Sequence, residues 1–173
     1  SADSLKRVGI IPPSNSYAGN KPPSGAYAAA MKKLQDSLFF SMERVPCKTV
    51  GRPCASYKVD ILYNGNVTYT GYNGVQLKGE YVSVLPKKDL QALFELAKDA
   101  KFFSLKDEYF DEATNNPVTI LMMKVKGKLK IIKDGQYGTP SELVFMEPMI
   151  DDALSRLDWK STEKKQPKVF SKR

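Results

Sequence analysis

The chain of 173 residues contains no histidine and only two cysteines. Without histidine there can be no Ser-His-Asp or Cys-His nucleophile and no His-ligated zinc or haem. Two cysteines cannot complete a tetrahedral zinc site, which takes four ligands and rarely uses carboxylates when its role is structural. The residue types therefore predict a protein that is not an enzyme and that holds neither a metal nor a cofactor.

The chain also lacks a long apolar run. Its longest uncharged stretch, residues 8–20, contains two prolines, whereas a membrane-spanning helix needs about 20 apolar residues.

The net charge of +8 lies outside the central part of the chain. Residues 1–37 carry five basic and two acidic groups and residues 160–173 carry six and one, whereas residues 38–159 carry sixteen of each sign. A nucleic-acid-binding fold has its basic stripe on the folded body, so no nucleic-acid partner is expected.

This distribution of charge and composition predicts three regions. Residues 1–37 form an extended N-terminal arm rich in Pro, Ser and Asn, residues 38–159 a single domain, and residues 160–173 a basic tail. Such a tail can contact an anionic membrane surface or an acidic partner. The tail residues predicted to bind a partner are Lys164, Lys165, Lys168, Lys172 and Arg173.

Cys47 and Cys54 are separated by six residues, unlike the two-residue spacing of dithiol oxidoreductases. They flank a loop that contains glycine and proline and lies between two predicted strands. Bonding the two sulfurs would stabilise the fold by roughly 2 to 3 kcal/mol by restricting the unfolded chain. A structural disulfide in an oxidising compartment is the favoured interpretation; the alternative is two free buried thiols in a reducing compartment.

Alternating apolar and polar residues predict a meander of four strands. They begin at Phe39–Arg44 and continue through Tyr57–Leu62 and Val67–Gly71 to a strand at about residues 76–85. The loop Tyr63-Asn64-Gly65 should place Ile61 opposite Val67 and Val59 opposite Tyr69, with Gly65 in a left-handed conformation.

After the meander, apolar residues at helical spacing predict a helix that begins at Pro86. Its expected apolar stripe consists of Leu90, Leu93, Phe94, Ala97 and Ala100. A second hairpin over residues 119–133 should turn through Val125-Lys126-Gly127, which aligns Leu121 and Met123 with Ile131 and Leu129. The remaining side chains of that hairpin would form a lysine face, made of Lys124, Lys128 and Lys130.

The last predicted helix opens at Thr139 and Glu142, whose side chains form a capping box. Its expected buried stripe consists of Leu143, Met146, Ile150, Ala153 and Leu157. The sequence therefore predicts an α+β fold: an antiparallel sheet of about six strands, in the order β-β-β-β-α-β-β-α, with two helices on one face.

Two further groups of residues are candidate sites. Four tyrosines on the first hairpin, which can serve a binding surface as well as core packing, are candidates for partner binding: Tyr57, Tyr63, Tyr69 and Tyr72. An acidic run could ligate calcium but lacks the spacing and the glycine of a calcium-binding loop, and a solvated loop is favoured. It consists of Asp107, Glu108, Asp111 and Glu112.

Several segments occur in an order that resembles an uncharacterised bacterial family of domains of unknown function, found mostly in secreted proteins and lipoproteins. They are "MERVPC", "GRPCASY", "VDILYNGNVTYTG", "FFSLKDEYF", "VKGKLKII" and "MIDDAL", and they cover residues 38–157. The family usually has three residues between its cysteines and a proline after the second, whereas here Pro53 precedes Cys54. The resemblance implies an α+β fold, export to the periplasm or outer membrane, and a lipid anchor upstream of Ser1.

Three functions are compatible with these features. The first is a non-catalytic envelope lipoprotein, an accessory or structural subunit that docks through its tails onto other envelope proteins, such as a large membrane complex. The second is a free-standing periplasmic binding or inhibitor domain that uses the tyrosines of the first hairpin. The third, less favoured, is a metal-dependent enzyme that works through the acidic run.

Overall fold

The computed structural model describes residues 37–45, 54–111 and 116–163. The described strands are β1 (Leu38–Arg44), β2 (Ser56–Leu62), β3 (Asn66–Asn73), β4 (Gly79–Val84), β5 (Glu108–Tyr109), β6 (Thr119–Val125), β7 (Lys128–Asp134) and β8 (Lys160–Ser161). The helices are α1 (Lys87–Asp99) and α2 (Ser141–Ser155), and a 3-10 turn spans Phe102–Ser104. The prediction of a mixed α+β fold with two helices is therefore confirmed for this part of the chain.

All eight strands belong to one sheet with the spatial order β5-β7-β6-β1-β2-β3-β4-β8. Every neighbouring pair is antiparallel except β5 and β7, which are parallel. The six longer strands occur in the predicted sequence, but the prediction of about six strands missed β5 and β8. Each of these has only two residues, too few for a periodic pattern to form.

The first hairpin has the predicted register: Ile61 pairs with Val67 and Val59 with Tyr69. Gly65 adopts a φ of +87°, and its N–H donates to the carbonyl of Leu62 at 3.0 Å. A residue with a Cβ atom would be strained in this conformation. The glycine therefore fixes the turn, and the turn fixes which side chains of β2 and β3 share a face.

The core lies between the sheet and the helices. A bulge in the pairing of β1 with β2 falls between Leu38 and Phe40, and both Phe39 and Phe40 are buried. Phe39 stacks on Phe94 of α1 with ring centroids 3.8 Å apart, whereas Phe40 meets Phe102 of the 3-10 turn edge-on at 6.5 Å. The bulge thus lets two consecutive aromatic side chains contribute to the same core.

The second hairpin differs from its prediction. Val125 pairs with Lys128, so the turn has two residues, Lys126 and Gly127, and both have positive φ, at 50° and 76°. Two consecutive positive φ angles define the type I′ turn that matches the twist of a hairpin.

This shorter turn shifts the pairing by one residue, which exchanges the two faces of β7. Leu121 faces Ile132 and Met123 faces Lys130, while Leu129 and Ile131 are exposed. The predicted lysine face is therefore wrong: Lys124 pairs with Leu129, and the ammonium of Lys130 lies against Asp107.

The helices begin close to their predicted positions but are capped differently. Pro86 precedes α1 as its N-cap instead of being its first residue. The capping box predicted for α2 is wrong, because Pro140 is the N-cap and no side chain caps the helix. The hydroxyl of Thr139 instead donates to Asp134 at 2.6 Å.

The buried faces of the helices follow the predicted stripes only in part. On α1, Leu93, Phe94 and Ala97 are buried as expected. On α2, Leu143, Met146 and Ile150 are buried, but Glu147 and Leu154 are buried as well, and Ala153 is only half-buried. Leu157, predicted as part of the stripe, lies beyond the end of α2 and is also half-buried. Neither described helix is long and apolar enough to span a bilayer.

Candidate functional site

A cluster of polar side chains joins β1 to α2 at one end of the sheet. Arg44 is the last residue of β1, and its side chain lies on the same inward face of the strand as those of Phe40 and Met42. In the sheet it pairs with Tyr57 of β2 and Thr119 of β6. Its Nε donates to the Tyr57 hydroxyl at 3.0 Å, and its Nη1 donates to the Thr119 hydroxyl at 3.2 Å. The guanidinium is thereby aligned toward α2.

Two carboxylates of α2 receive this guanidinium. Nη1 of Arg44 donates to Oε2 of Glu147 at 2.9 Å, and Nη2 donates to Oδ2 of Asp151 at 2.5 Å. Tyr57 donates its hydroxyl proton to the other oxygen of Asp151, and Thr119 donates to Glu147 at 2.9 Å. Because Glu147 and Asp151 are four residues apart, they lie on the same face of the helix, which these contacts fix against the sheet.

Burial and charge set the protonation states in this cluster. Burial raises the pKa of the Glu147 carboxyl, against the opposing effects of Arg44 and Thr119. Burial and the hydrogen bond to Asp151 raise the pKa of Tyr57 well above its ordinary value, so the phenol stays neutral. Burial alone would lower the pKa of Arg44, but Tyr57 and Asp151 raise it overall. The cluster thus contains a permanent cation that is already engaged by two carboxylates, an arrangement suited to holding α2 in place.

The opposite side of α2 presents apolar side chains to solvent. We call Val144, Phe145 and Met149 the α2 ridge; they are 49%, 66% and 51% exposed. Phe145 and Met149 are four residues apart and therefore adjacent on the helix surface. Large apolar side chains that are grouped in this way are more typical of a contact surface than of a plain solvent-facing helix.

A cleft between α1 and α2 adjoins this ridge. It has a volume of about 220 Å³ and an apolar lining that includes Leu93, Leu96 and Met149. Charged side chains also line the cleft: Arg156 contacts Asp152 one turn away on α2, and its guanidinium lies 3.7 Å from the carboxylate of Asp89 of α1. The cleft is smaller than most cofactor sites and is the size of one or two large apolar side chains.

The four tyrosines predicted to bind a partner do not form one surface. Tyr57 is buried and stacks on Tyr69 at 5.3 Å. Tyr63 lies at the opposite end of the strands, where its ring meets Phe39 at 5.2 Å, and Tyr72 is exposed.

An aromatic cluster of different composition forms around Tyr69. Its ring centroid lies 5.4 Å from that of Trp159 and 6.5 Å from that of Tyr81. All three of these rings are half-buried. Burial, with Asp151 and Tyr81 nearby, raises the pKa of Tyr69.

Other predicted site residues lie wholly or partly outside the described residues. Cys54 is half-buried just before β2, but Cys47 lies outside the described residues, so their bond stays a prediction. The basic tail residues also lie outside: Lys164, Lys165, Lys168, Lys172 and Arg173.

The acidic run is described only in part. Asp107 forms an ion pair with Lys130, Glu108 lies in β5, and Glu112 is not described. Within the three described ranges, no group of three or more Cys, Asp and Glu side chains is arranged to hold a metal ion.

The polar cluster was not predicted from the sequence, although the sequence contains signals for it. Arg44 continues the inward alternation of Phe40 and Met42, which places a charge where an apolar residue is expected. Glu147 likewise follows Leu143 by four residues on the buried stripe of α2. A charged residue that occupies a core position in one element indicates that an oppositely charged residue does so in another.

The fold and these contacts of the described residues define a class of protein: a single-sheet α+β domain in which a partly buried ion-pair cluster joins the helix α2 to the sheet. A family model described as "Domain of unknown function (DUF6438)" matches residues 38–154. The chain belongs to this family. No curated protein matches the chain.

Proposed function

We propose that this chain is a non-catalytic cell-envelope lipoprotein that acts as an accessory or structural subunit of a membrane-associated protein assembly. The observation that carries the proposal is the α2 ridge beside the cleft. A ridge with a neighbouring recess is the form of a protein-binding hot spot, where a few buried anchors provide most of the binding energy. The polar cluster also supports a non-catalytic role, because its only arginine already forms ion pairs with two carboxylates and thereby positions α2.

The proposal includes export, a lipid anchor upstream of Ser1 and a predicted division into arm, domain and tail. Cell fractionation of the native protein, with mass spectrometry of its N-terminus, tests the first two. A protein recovered in the cytosol without acylation contradicts them. The tail is tested by replacing Lys164, Lys165, Lys168, Lys172 and Arg173 with Gln. This change leaves β8 intact, whereas deletion from residue 160 would remove it. We expect weaker recovery of the protein with anionic membranes or partners.

The docking surface is tested by Phe145→Asp. The native full-length protein and the variant are purified from the envelope in mild detergent, and the proteins that elute with each are identified by mass spectrometry. We expect partners to be lost from the variant, because a buried carboxylate would face apolar partner atoms. Phe103→Asp is the matched control, since Phe103 is also exposed but lies outside the α2 ridge. Equal recovery with both variants would reject the α2 ridge as the docking surface.

A second candidate function is a free-standing periplasmic binding or inhibitor domain. The half-buried cluster of Tyr69, Tyr81 and Trp159 favours it, because aromatic rings at a surface can stack on a ligand. Trp159 is the only tryptophan, so its fluorescence reports on this cluster directly. A saturable change on titration with periplasmic extracts would support this function, and its loss in Tyr69→Ala would locate the site.

A metal-dependent enzyme is the least supported function. Asp107, the first residue of the acidic run, is engaged by the ammonium of Lys130, which competes with a metal ion for the same carboxylate. Calorimetric titration of the full chain with calcium and with magnesium tests this function. A saturable heat of binding for either ion would support the enzyme function.

A further inference from the structure

One long side of β7 is only partly covered. β6 pairs with β7 over its whole length, whereas β5 pairs with its other side only at Lys133 and Asp134. On that side the N–H of Lys133 donates to the carbonyl of Asp107 at 2.8 Å. Backbone groups point alternately to the two sides of a strand, so those of Leu129 and Ile131 point to the same side as those of Lys133. No described strand pairs with them there.

The side chains beside this edge alternate in character. Leu129 and Ile131 lie on the outer face, 55% and 46% exposed. Lys128 and Lys130 lie on the inner face of the strand, the same face as the buried Ile132. Apolar contacts are thus available on one face of the edge and positive charge on the other.

The edge carries a net positive charge. The hairpin formed by β6 and β7 contains five lysines and one acidic residue, the buried Asp134; adjacent Asp107 and Glu108 reduce its charge from +4 to +2. Pairing with β7 of a second copy would bring lysines opposite lysines, which disfavours self-association at this edge. The same charge attracts an acidic strand.

We propose that the open edge of β7 at Leu129 and Ile131 binds an extended segment of a partner protein in which apolar residues alternate with Asp or Glu. The segment adds a strand to the sheet by hydrogen bonding to the backbone of these two residues. Its apolar side chains lie against Leu129 and Ile131, and its carboxylates face Lys128. This site is separate from the α2 ridge, and it does not depend on the envelope function proposed above.

The test uses the full chain labelled with nitrogen-15 and two blocked hexapeptides, one alternating Val with Glu and one alternating Val with Lys. We expect the acidic peptide to shift the amide signals of Leu129 and Ile131 and to slow their hydrogen exchange at least about tenfold at saturation. The lysine peptide should produce neither effect. Raising the salt concentration should weaken binding of the acidic peptide.

Variants separate backbone pairing from charge. Ile131→Pro removes an N–H that β6 does not use, so the hairpin should remain folded while binding of the acidic peptide is lost. Ile131→Thr keeps the N–H and is the matched control, with binding retained but weaker. Lys128→Glu should weaken binding of the acidic peptide about tenfold and allow the lysine peptide to bind.

Several outcomes would overturn the proposal. They are shifts confined to other parts of the chain, equal binding of the two hexapeptides, unchanged binding by Lys128→Glu, and concentration-dependent dimerisation in sedimentation that Ile131→Pro abolishes. Phe145→Asp, which tests the α2 ridge, should leave hexapeptide binding unchanged. Failure of one proposal is therefore distinguishable from failure of the other.

Discussion

Replacement of Arg44 by Met tests whether the polar cluster holds α2 against the sheet. Methionine retains most of the apolar stem but removes the guanidinium, which leaves Glu147 buried with Thr119 as its remaining hydrogen-bond donor. Removing one partner of a buried ion pair costs about 3 to 5 kcal/mol. Because Asp151 is partly exposed and can regain water, we expect the lower end, about 3 kcal/mol. For a domain of this size that is a fall in Tm of roughly 12 °C.

The cost should depend on pH. The pKa of Glu147 in the folded protein is already raised, and loss of Arg44 removes an influence that lowers it, so it rises further. A carboxyl whose pKa is raised by folding favours the folded state as pH falls toward the unfolded pKa and loses that contribution as pH rises through the folded pKa. The variant should therefore lose more stability at about pH 7.5 than at about pH 5.

Urea denaturation at both pH values, followed by circular dichroism, measures this difference. Arg156→Met is the matched control, because its guanidinium contacts Asp152 and Asp89 at an exposed site and its loss should cost less than about 1 kcal/mol. A cost below about 1 kcal/mol for Arg44→Met, or the same cost at both pH values, would show that the cluster does not anchor the helix.

Two further predictions concern the backbone and the cysteines. Gly71→Ala should lower the unfolding free energy measured in urea by about 3 kcal/mol, because the added Cβ would overlap the carbonyl oxygen of Leu77. Gly127→Ala is the control: the space around Gly127 is open, so this change should cost only the roughly 1 kcal/mol of a left-handed conformation. Equal costs for the two variants would contradict the overlap at Gly71. Reduction of the native protein should lower its unfolding free energy by roughly 2 to 3 kcal/mol if Cys47 and Cys54 are bonded, and mass spectrometry with alkylation before and after reduction should show two thiols only after reduction. Thiols that alkylate without reduction would favour the alternative of free cysteines.

The two hairpins explain which parts of the fold the sequence could predict. Tyr63-Asn64-Gly65 was predicted correctly because a glycine follows an asparagine in a pattern with one compatible register. At the second hairpin Lys126 adopts the positive φ that Asn or Asp usually provides, so its lysine gave no signal for a two-residue turn. One residue of error then exchanged the faces of β7 and hid the exposure of Leu129 and Ile131.

The candidate site was less predictable because its members are distant in sequence. Arg44 lies 75 residues before Thr119 and 107 before Asp151, and no local pattern reports on contacts across such separations. The capping box failed for a related reason: Thr139 had a competing acceptor, the buried Asp134, which only the tertiary structure brings near. The aromatic cluster also depends on Trp159, which lies well outside the hairpin that contributes Tyr69.

The position of β1 has a consequence for how the chain is made. Of the strands in the described residues, β1 comes first in the sequence; it lies between β2 and β6, and its partner β6 follows it by some 75 residues. Until that later segment has emerged from the ribosome, one flank of β1 has no neighbour and Phe39 and Phe40 lack part of their enclosure. A nascent chain that pauses before residue 119 is therefore expected to need a chaperone.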